Sequence, residues 1–310
     1  MRIIKKMNIH PDQSKKLLTL VSRASVATAV FLLLIKVYAF WLTDSVSIMA
    51  SMLDSLLDIV ASIINLLAIR IALTPADKEH PFGHGKAEAL AGLGQATFIA
   101  GSAFFLMFQA YLRIQNPEQI AEMDFGIVVM IISIITTALL ILFQRHVIRL
   151  TNSVAIRADS MHYMTDLLTN TMIIVALLLV GFGYPWMDPA MALLMGIYIL
   201  YSAWQIIRES IQLLLDRELS DDIQKSIRDI VLADKDIEAI HELKTRESGL
   251  TKFIQLHLEM DGSMTLHNAH IISDRVMASL HAEFPTAEVL IHQDPVNDAP
   301  DQSERIISDN

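Results

Sequence analysis

Two pairs of ligand-type side chains repeat one spacing. Asp54 and Asp58 lie four residues apart inside the apolar run Ser45 to Ala72, and His162 and Asp166 lie four apart inside another. On a helix such residues share a face, with Cβ atoms roughly 5–6 Å apart. An ionised carboxylate at the centre of a membrane helix costs about 2.5–3.5 kcal/mol on insertion scales. A chain that carries several of them puts them to use. Together the pairs offer one imidazole nitrogen and three carboxylates from two helices, a donor set that tetrahedral Zn2+ accepts. It also admits Cd2+, Fe2+, Co2+ or Mn2+, because affinity alone does not choose among them. The competing reading of each pair is a proton relay or a structural hydrogen-bond network. Asp159 shares the His162 face one turn toward the cytoplasm, and reads as lining an entrance or as a helix-end group.

Three carboxylates in a poorly solvated site repel one another, so an empty site should hold protons. Metal and protons would then exclude each other, the minimum that antiport requires. Asp58 and His162 are the candidate proton-coupling groups. With protons favoured to enter the cell, metal would be driven out.

Two other clusters carry metal-ligand chemistry. The stretch Pro75 to Lys86 holds Asp77, His80 and His84 among two Pro and two Gly, which favour a shaped turn. Those three side chains could ligate a metal and leave one position to water; a polar loop with incidental histidines is the plainer reading. Near the C-terminus, folding a hairpin about Gly249 sets His241 opposite His257, each eight residues away. His292 and Asp294 alternate onto one face of a later strand. With His270 from a helix these could hold one or two metals, and a bridging Asp294 would suit a binuclear site. His10, His146, His267 and His281 lack such partners. The methionines, 16 in number, are scattered through apolar runs as packing residues.

The elements that must position these groups follow from hydropathy. Of 310 residues, 53% are hydrophobic, and the mean hydropathy is +0.44. Six runs are long enough to cross a bilayer as helices: Leu18–Leu42, Ser45–Ala72, Ala87–Ile114, Phe125–Val147, Ser153–Tyr184 and Met187–Leu214. Tight connections at Thr43–Asp44 and Gly181–Pro185 make helical hairpins. Lys and Arg mark the N-terminal segment and the second and fourth connections, which places both termini in the cytoplasm. The start of the chain is polar and basic for too long to read as a cleavable signal peptide.

After the sixth run the character changes. Residues 1–213 carry 15 Lys/Arg and 14 Asp/Glu, whereas residues 214–310 carry 9 and 20. The acidic second part argues against nucleic acid as a partner. It reads as helix Ser220–Leu232, strands Ile237–Arg246 and Thr251–Met260 around a turn at Glu247–Gly249, helix Leu266–Phe284 and strand Glu288–His292. The fold class is thus a multi-pass α-helical membrane protein with a C-terminal α+β (αββαβ) cytoplasmic domain. The expected organisation is an N-terminal segment (1–17), a transport domain (18–214), a metal-binding and dimerisation domain (215–296) and a disordered tail (297–310). The sequence has no cysteine, so any metal site uses nitrogen and oxygen donors.

Three motifs in order, Asp54-Ser-Leu-Leu-Asp58, the stretch from Asp77 to Lys86 with His-Pro-Phe-Gly-His-Gly-Lys, and His162-Tyr-Met-Thr-Asp166, resemble those of the cation diffusion facilitator family. The tail adds Ile291-His-Gln-Asp-Pro295, and the likeness to the bacterial zinc-transporting type covers essentially the whole chain. The resemblance implies a tetrahedral transport site of Asp54, Asp58, His162 and Asp166, working by alternating access. It implies a loop site of Asp77, His80 and His84, and a binuclear site of His241, His257, His270, His292 and Asp294 at a dimer interface. Lys86 and Asp216 resemble the charge pair where the two domains meet in that family. Also implied are a homodimer in the bacterial inner membrane, a metallochaperone-like tail, Zn2+ as cargo and as structural or regulatory ion, and no organic cofactor. Relatives of this type extend the cargo to Cd2+ and Fe2+.

Two readings from other classes compete. A membrane metalloprotease would carry His-Glu-x-x-His, but His241-Glu242 lacks the second histidine; the chain is read as a non-enzyme. A metal-gated channel or sensor would use the tail for sensing. Export of Fe2+ or Mn2+ as main cargo is the alternative within the transporter class.

Overall fold

The computed structural model describes residues 11–43, 46–115, 124–181, 187–296 and 306–307. Within that range the side chains of 43, 46–51, 53, 54, 113, 114, 124–127, 173, 174, 176–181, 187–189, 306 and 307 are not described, nor is that of Pro11. The chain forms two compact units, divided between Ile211 and Gln212.

Six long helices make the first unit: α1 (Pro11–Thr43), α2 (Val46–Ala72), α3 (Lys86–Gln115), α4 (Asp124–Thr151), α5 (Val154–Gly181) and α6 (Met187–Leu214). Among the described residues five are long and apolar enough to cross a membrane, all but α5. The described half of α5 is crowded by Arg157, Asp159 and Asp166, the groups that make it interesting. The assigned turn at Asp44 and the segments 116–123 and 182–186 lie outside the described residues.

Large apolar side chains such as Trp41, Phe104, Phe105, Leu139 and Leu142 are exposed on the helices. This outward apolar surface is what a bilayer solvates. Small and polar groups are buried between the helices beside aliphatic ones such as Leu18, Val21 and Ile69. Ala103 and Ala203 meet between α3 and α6 beside Ile99 and Ile199. Tyr163 of α5 is fully buried; its hydroxyl donates to the Ser25 carbonyl of α1 at 3.0 Å and lies 2.9 Å from Ser62 Oγ of α2.

The break between α4 and α5 is only two residues. Asn152 takes φ +53° there, and Ser153 Oγ accepts the Ile156 amide at 3.2 Å as an N-cap. Glu88 at the start of α3 accepts the Val154 amide at 2.9 Å, setting a carboxylate at the N-terminus of α5.

The second unit holds α7 (Asp221–Leu232), β1 (Ala239–Ser248), β2 (Thr251–Met260), α8 (Leu266–Glu283), β3 (Ala287–Pro295) and β4 (Ile306–Ile307). The αββαβ order appears as expected. The sheet order is β3-β2-β1-β4, with β2 and β3 parallel across the α8 connection. Ile227, Val231, Val276 and Leu280 of the helices pack against Ile240, Ile254, Leu256 and Leu258 of the sheet. Strand β4 pairs with β1 through Ile306–Ile240 and Ile307–Ala239. A disordered tail is the compositional expectation there, and this short pairing departs from it.

Gly92 fits α3 tightly against its neighbours. An added Cβ would lie 2.9 Å from Val154 Cγ1 and 3.0 Å from Ser210 Oγ, whereas one on Gly94 would meet nothing within 4 Å. Overpacking of this kind typically costs about 1–3 kcal/mol. Gly92→Val is therefore expected to lower the thermal unfolding temperature of the detergent-solubilised chain, and Gly94→Ala to leave it unchanged or raise it.

Candidate metal centres

In the membrane unit, α2 presents Asp58 and α5 presents His162 and Asp166. His162 Nε2 lies 3.0 Å from Asp58 Oδ1 and 4.0 Å from Asp166 Oδ2. Ligand atoms of these three residues all fall within 4.8 Å of one another. The imidazole is held in orientation by Phe98, at 6.1 Å between ring centroids, and by Tyr163 at 5.7 Å. Asp54 belongs to α2, one helical turn before Asp58; its side chain lies outside the described residues. Next to it, Ser55 is buried and accepts a hydrogen bond from Lys36 Nζ of α1 at 2.7 Å.

Asp159 lines no entrance. It is fully buried, and its carboxylate accepts from Ser25 Oγ at 2.6 Å, Gln144 Nε2 at 2.7 Å and Gln95 Nε2 at 3.0 Å. One carboxylate thus joins α1, α3, α4 and α5. The sequence reading missed this role because Ser25, Gln95 and Gln144 are single polar residues in apolar runs, each unremarkable alone.

The connection after α2 brings Asp77, His80 and His84 together. Asp77 Oδ1 accepts the Glu79 and His80 amides at 2.9 and 2.7 Å, which closes the turn. His80 Nδ1 and His84 Nε2 each lie 3.3 Å from an Asp77 oxygen. The two imidazole centroids are 4.5 Å apart. Gly83 takes φ +77°, a conformation that suits glycine and lets His84 turn back toward Asp77. The backbone amide of His80 holds the Asp77 carboxyl below its ordinary value of 3.8, with the Glu79 amide and both histidines adding to the effect.

In the second unit His241 pairs with His257 across β1 and β2, as expected, but for a different reason. The turn is Gly249-Leu250, with Ser248 opposite Thr251. That register alone would set Glu242 opposite His257. An extra residue between His241 and Lys244 forms a bulge that restores the histidine pair. Glu242, at φ +47°, absorbs the kink. Strand β3 then sets His292 beside His257 and Asp294 beside Glu259.

Asp294 is the hub. Its Oδ2 lies 2.8 Å from His257 Nδ1 and 3.2 Å from His241 Nε2, and its Oδ1 lies 3.2 Å from His292 Nε2. His270 is not brought to this cluster; it is exposed on α8 and faces Asp274 at 3.5 Å. The sequence reading also missed Glu259, fully buried, with Oε1 3.1 Å from His241 Nδ1. Its signal was the strand alternation itself, which puts residue 259 on the face of His257.

These donor sets fit a borderline divalent ion. His241 Nε2 and His84 Nδ1 are buried without a hydrogen-bond partner among the described residues, and a ring nitrogen left so is available to a cation. Bound there, an ion would supply positive charge to otherwise converging acceptors.

Asp216, at φ +56°, accepts from Arg246 at 3.3 Å within its own unit. Lys86 opens α3 in the other unit.

The Asp77 turn makes a pH prediction. A carboxyl whose folded pKa is depressed contributes stability above its unfolded value of 3.8, lost as pH falls through the lower folded value. Hydrogen exchange at the Glu79 and His80 amides should therefore show unchanged protection on acidification to about pH 4, and rise only below that. For Asp159, Asp159→Ala should lower the thermal unfolding temperature, because it strips three donors of one buried acceptor.

Comparison with known proteins agrees across the chain. The cation efflux transmembrane domain matches residues 22–215, and the cation efflux protein cytoplasmic domain matches residues 219–296. A cation-efflux pump FieF from Serratia proteamaculans (strain 568) is 45% identical over 93% of this chain and 96% of its own. One from Cronobacter sakazakii is 48% identical over 91% and 95%. Among solved structures, the Zn form of CzrB covers 28% of this chain and 99% of that chain at 27% identity, with a TM-score of 0.26. With both domain models matched in order and relatives aligned over nearly their full length, the chain belongs to the cation efflux family, a membrane protein of the group that its motifs resemble.

Proposed function

We propose that the chain exports a divalent metal cation from the cytoplasm in exchange for protons, with Zn2+ as the main cargo. The observation that carries this is the convergence of His162 with Asp58 at 3.0 Å and Asp166 at 4.0 Å between two membrane helices. Relatives named cation-efflux pumps, at 45% and 48% identity, support the transport class. Asp54, one turn before Asp58 on α2, completes the four-ligand set. Imidazole with carboxylates favours Zn2+ over hard ions that prefer oxygen alone.

The chain's own residues do the exchange. With no metal present the site holds protons, because neighbouring carboxylates in a poorly hydrated site do not all stay charged. An incoming cation takes the same lone pairs and releases those protons. Opening to the other side lets protons return and expel the ion, so each occupant promotes the departure of the other.

The tail binds metal at His241, His257, His292 and Asp294, and tunes the geometry of a homodimer rather than carrying cargo. His270 lies apart from the other ligands within one chain, which supports a site shared with a second copy. The loop set of Asp77, His80 and His84 takes metal at the cytoplasmic side. The basic N-terminal segment and even-numbered connections support a reading with both termini in the cytoplasm, for helices in the bacterial inner membrane.

Vesicles holding the purified chain, loaded with a zinc dye and a pH dye, test the reading. Zinc influx with simultaneous proton movement in the opposite direction is expected. Asp58→Ala and His162→Ala should reduce zinc flux to the protein-free rate. Zinc movement without proton movement rejects antiport, and normal flux in both variants rejects the site. Competition by Cd2+, Fe2+ and Mn2+ in the same vesicles ranks the cargo, and conductance far above carrier turnover would identify a channel instead.

A further inference from the structure

The geometry points to Glu259 as a positioning residue that fixes the tautomer of His241 and so aims its Nε2 lone pair at a metal ion in the tail. This rests on the reading of the tail as a metal site. Both residues are almost wholly removed from solvent: His241 is 3% exposed and Glu259 0%. Glu259 Oε1 lies 3.1 Å from His241 Nδ1. An ionised carboxylate only accepts, so opposite an ionised Glu259 the hydrogen sits on Nδ1. In the neutral ring Nε2 is then unprotonated. It lies 3.2 Å from Asp294 Oδ2, yet it makes no hydrogen bond.

A lone pair facing a carboxylate oxygen at that distance is repulsive unless a proton or a cation sits beside both. His257 Nδ1 lies within hydrogen-bond distance of the same Asp294 oxygen, at 2.8 Å, so ring nitrogens of two histidines converge on one carboxylate oxygen. Ligand atoms of His241, His257 and Asp294 lie within 4.8 Å of one another. A carboxylate behind a ligating imidazole makes the ring a better donor to metal and restricts its rotation. Burial strengthens the pairing, since no water competes for Nδ1.

The strands dictate this placement. Glu259 is opposite Ala239, and His241 is opposite His257. Glu259 and His241 are thus diagonal neighbours on the sheet face away from Ile240 and Leu258, which point into the helix-covered core. The bulge after His241 keeps that diagonal, and a regular β1 would replace it with Glu242 at the metal-facing position.

The experiment uses the full-length chain in detergent, wild type and Glu259→Gln, with 15N-labelled histidine and metal removed. Loss of one resonance in His241→Gln assigns the ring. Wild-type His241 is expected as the Nδ1–H tautomer with Nε2 unprotonated. Glu259→Gln, whose amide can either accept or donate, should show a mixture of tautomers. Its apparent zinc affinity at the tail should fall about tenfold to a hundredfold, with the thermal unfolding temperature little changed. Glu259→Leu gives the same readouts with no hydrogen-bonding group, and is expected to lose at least as much affinity.

A wild-type ring protonated on both nitrogens overturns the inference and makes the pair a structural ion pair. A tautomer and zinc affinity that stay the same in both variants overturn it too. Should the wild-type tail take up no more zinc than His257→Ala, the metal reading of the tail falls with it, whereas loss of zinc in His257→Ala but not in Glu259→Gln sinks the role of Glu259 alone.

Discussion

His162 is buried within the helical unit, and Asp58 meets it there from another helix. An ionisable group in a medium of low dielectric must be paired, hydrogen-bonded or neutral. The packing of α2 on α5 answers that demand at two levels. Asp58 reaches His162 Nε2 at 3.0 Å, and one residue on, the buried Tyr163 hydroxyl reaches Ser62 of α2 and the carbonyl of Ser25 in α1. Asp159 repeats the logic a turn away with three neutral donors from three other helices. The helical unit is therefore held by polar contacts set among small and aliphatic residues, while many of its large apolar side chains face outward. Two of its carboxylate environments differ in kind. Asp159 is saturated by fixed donors, whereas Asp58 faces a ring that can give up its proton.

The tail meets the same problem in a water-soluble setting. There, imidazole nitrogens converge upon Asp294 from β1, β2 and β3. The sheet is what brings residues 241, 257 and 294 together, and it is stable because its other face buries Ile254, Leu256 and Leu258 under α7 and α8. One face of the sheet holds the fold and the other is left free for chemistry.

The long elements were legible because their physics is local. Apolar runs set the six helices, and alternation set β2 to the residue, Thr251–Met260. The ligand groups were legible where the spacing itself is the geometry, as in the His162–Asp166 turn or the short loop around Asp77. What escaped depends on pairing across distance. Gln95 and Gln144 acquire meaning only once Asp159 lies between them. His270 satisfies the metal-ligand pattern by type, but its place on α8 gives it Asp274 as neighbour instead. The His241–His257 pair was anticipated from a turn centred on Gly249, and two departures, a turn one step later and a bulge in β1, offset each other. Neither departure leaves a mark in hydropathy.

That bulge carries a consequence for how such a domain can vary in length. Losing one residue between His241 and Lys244 would remove the bulge and leave a regular strand, with His241 still opposite His257 and Ile240 still facing the core. A residue lost between Lys244 and the turn, with the bulge kept, would instead reverse the facing of everything before it in β1. The bulge is thus a spare residue in the strand, and a shortening of β1 by one is absorbed wherever the bulge can be given up.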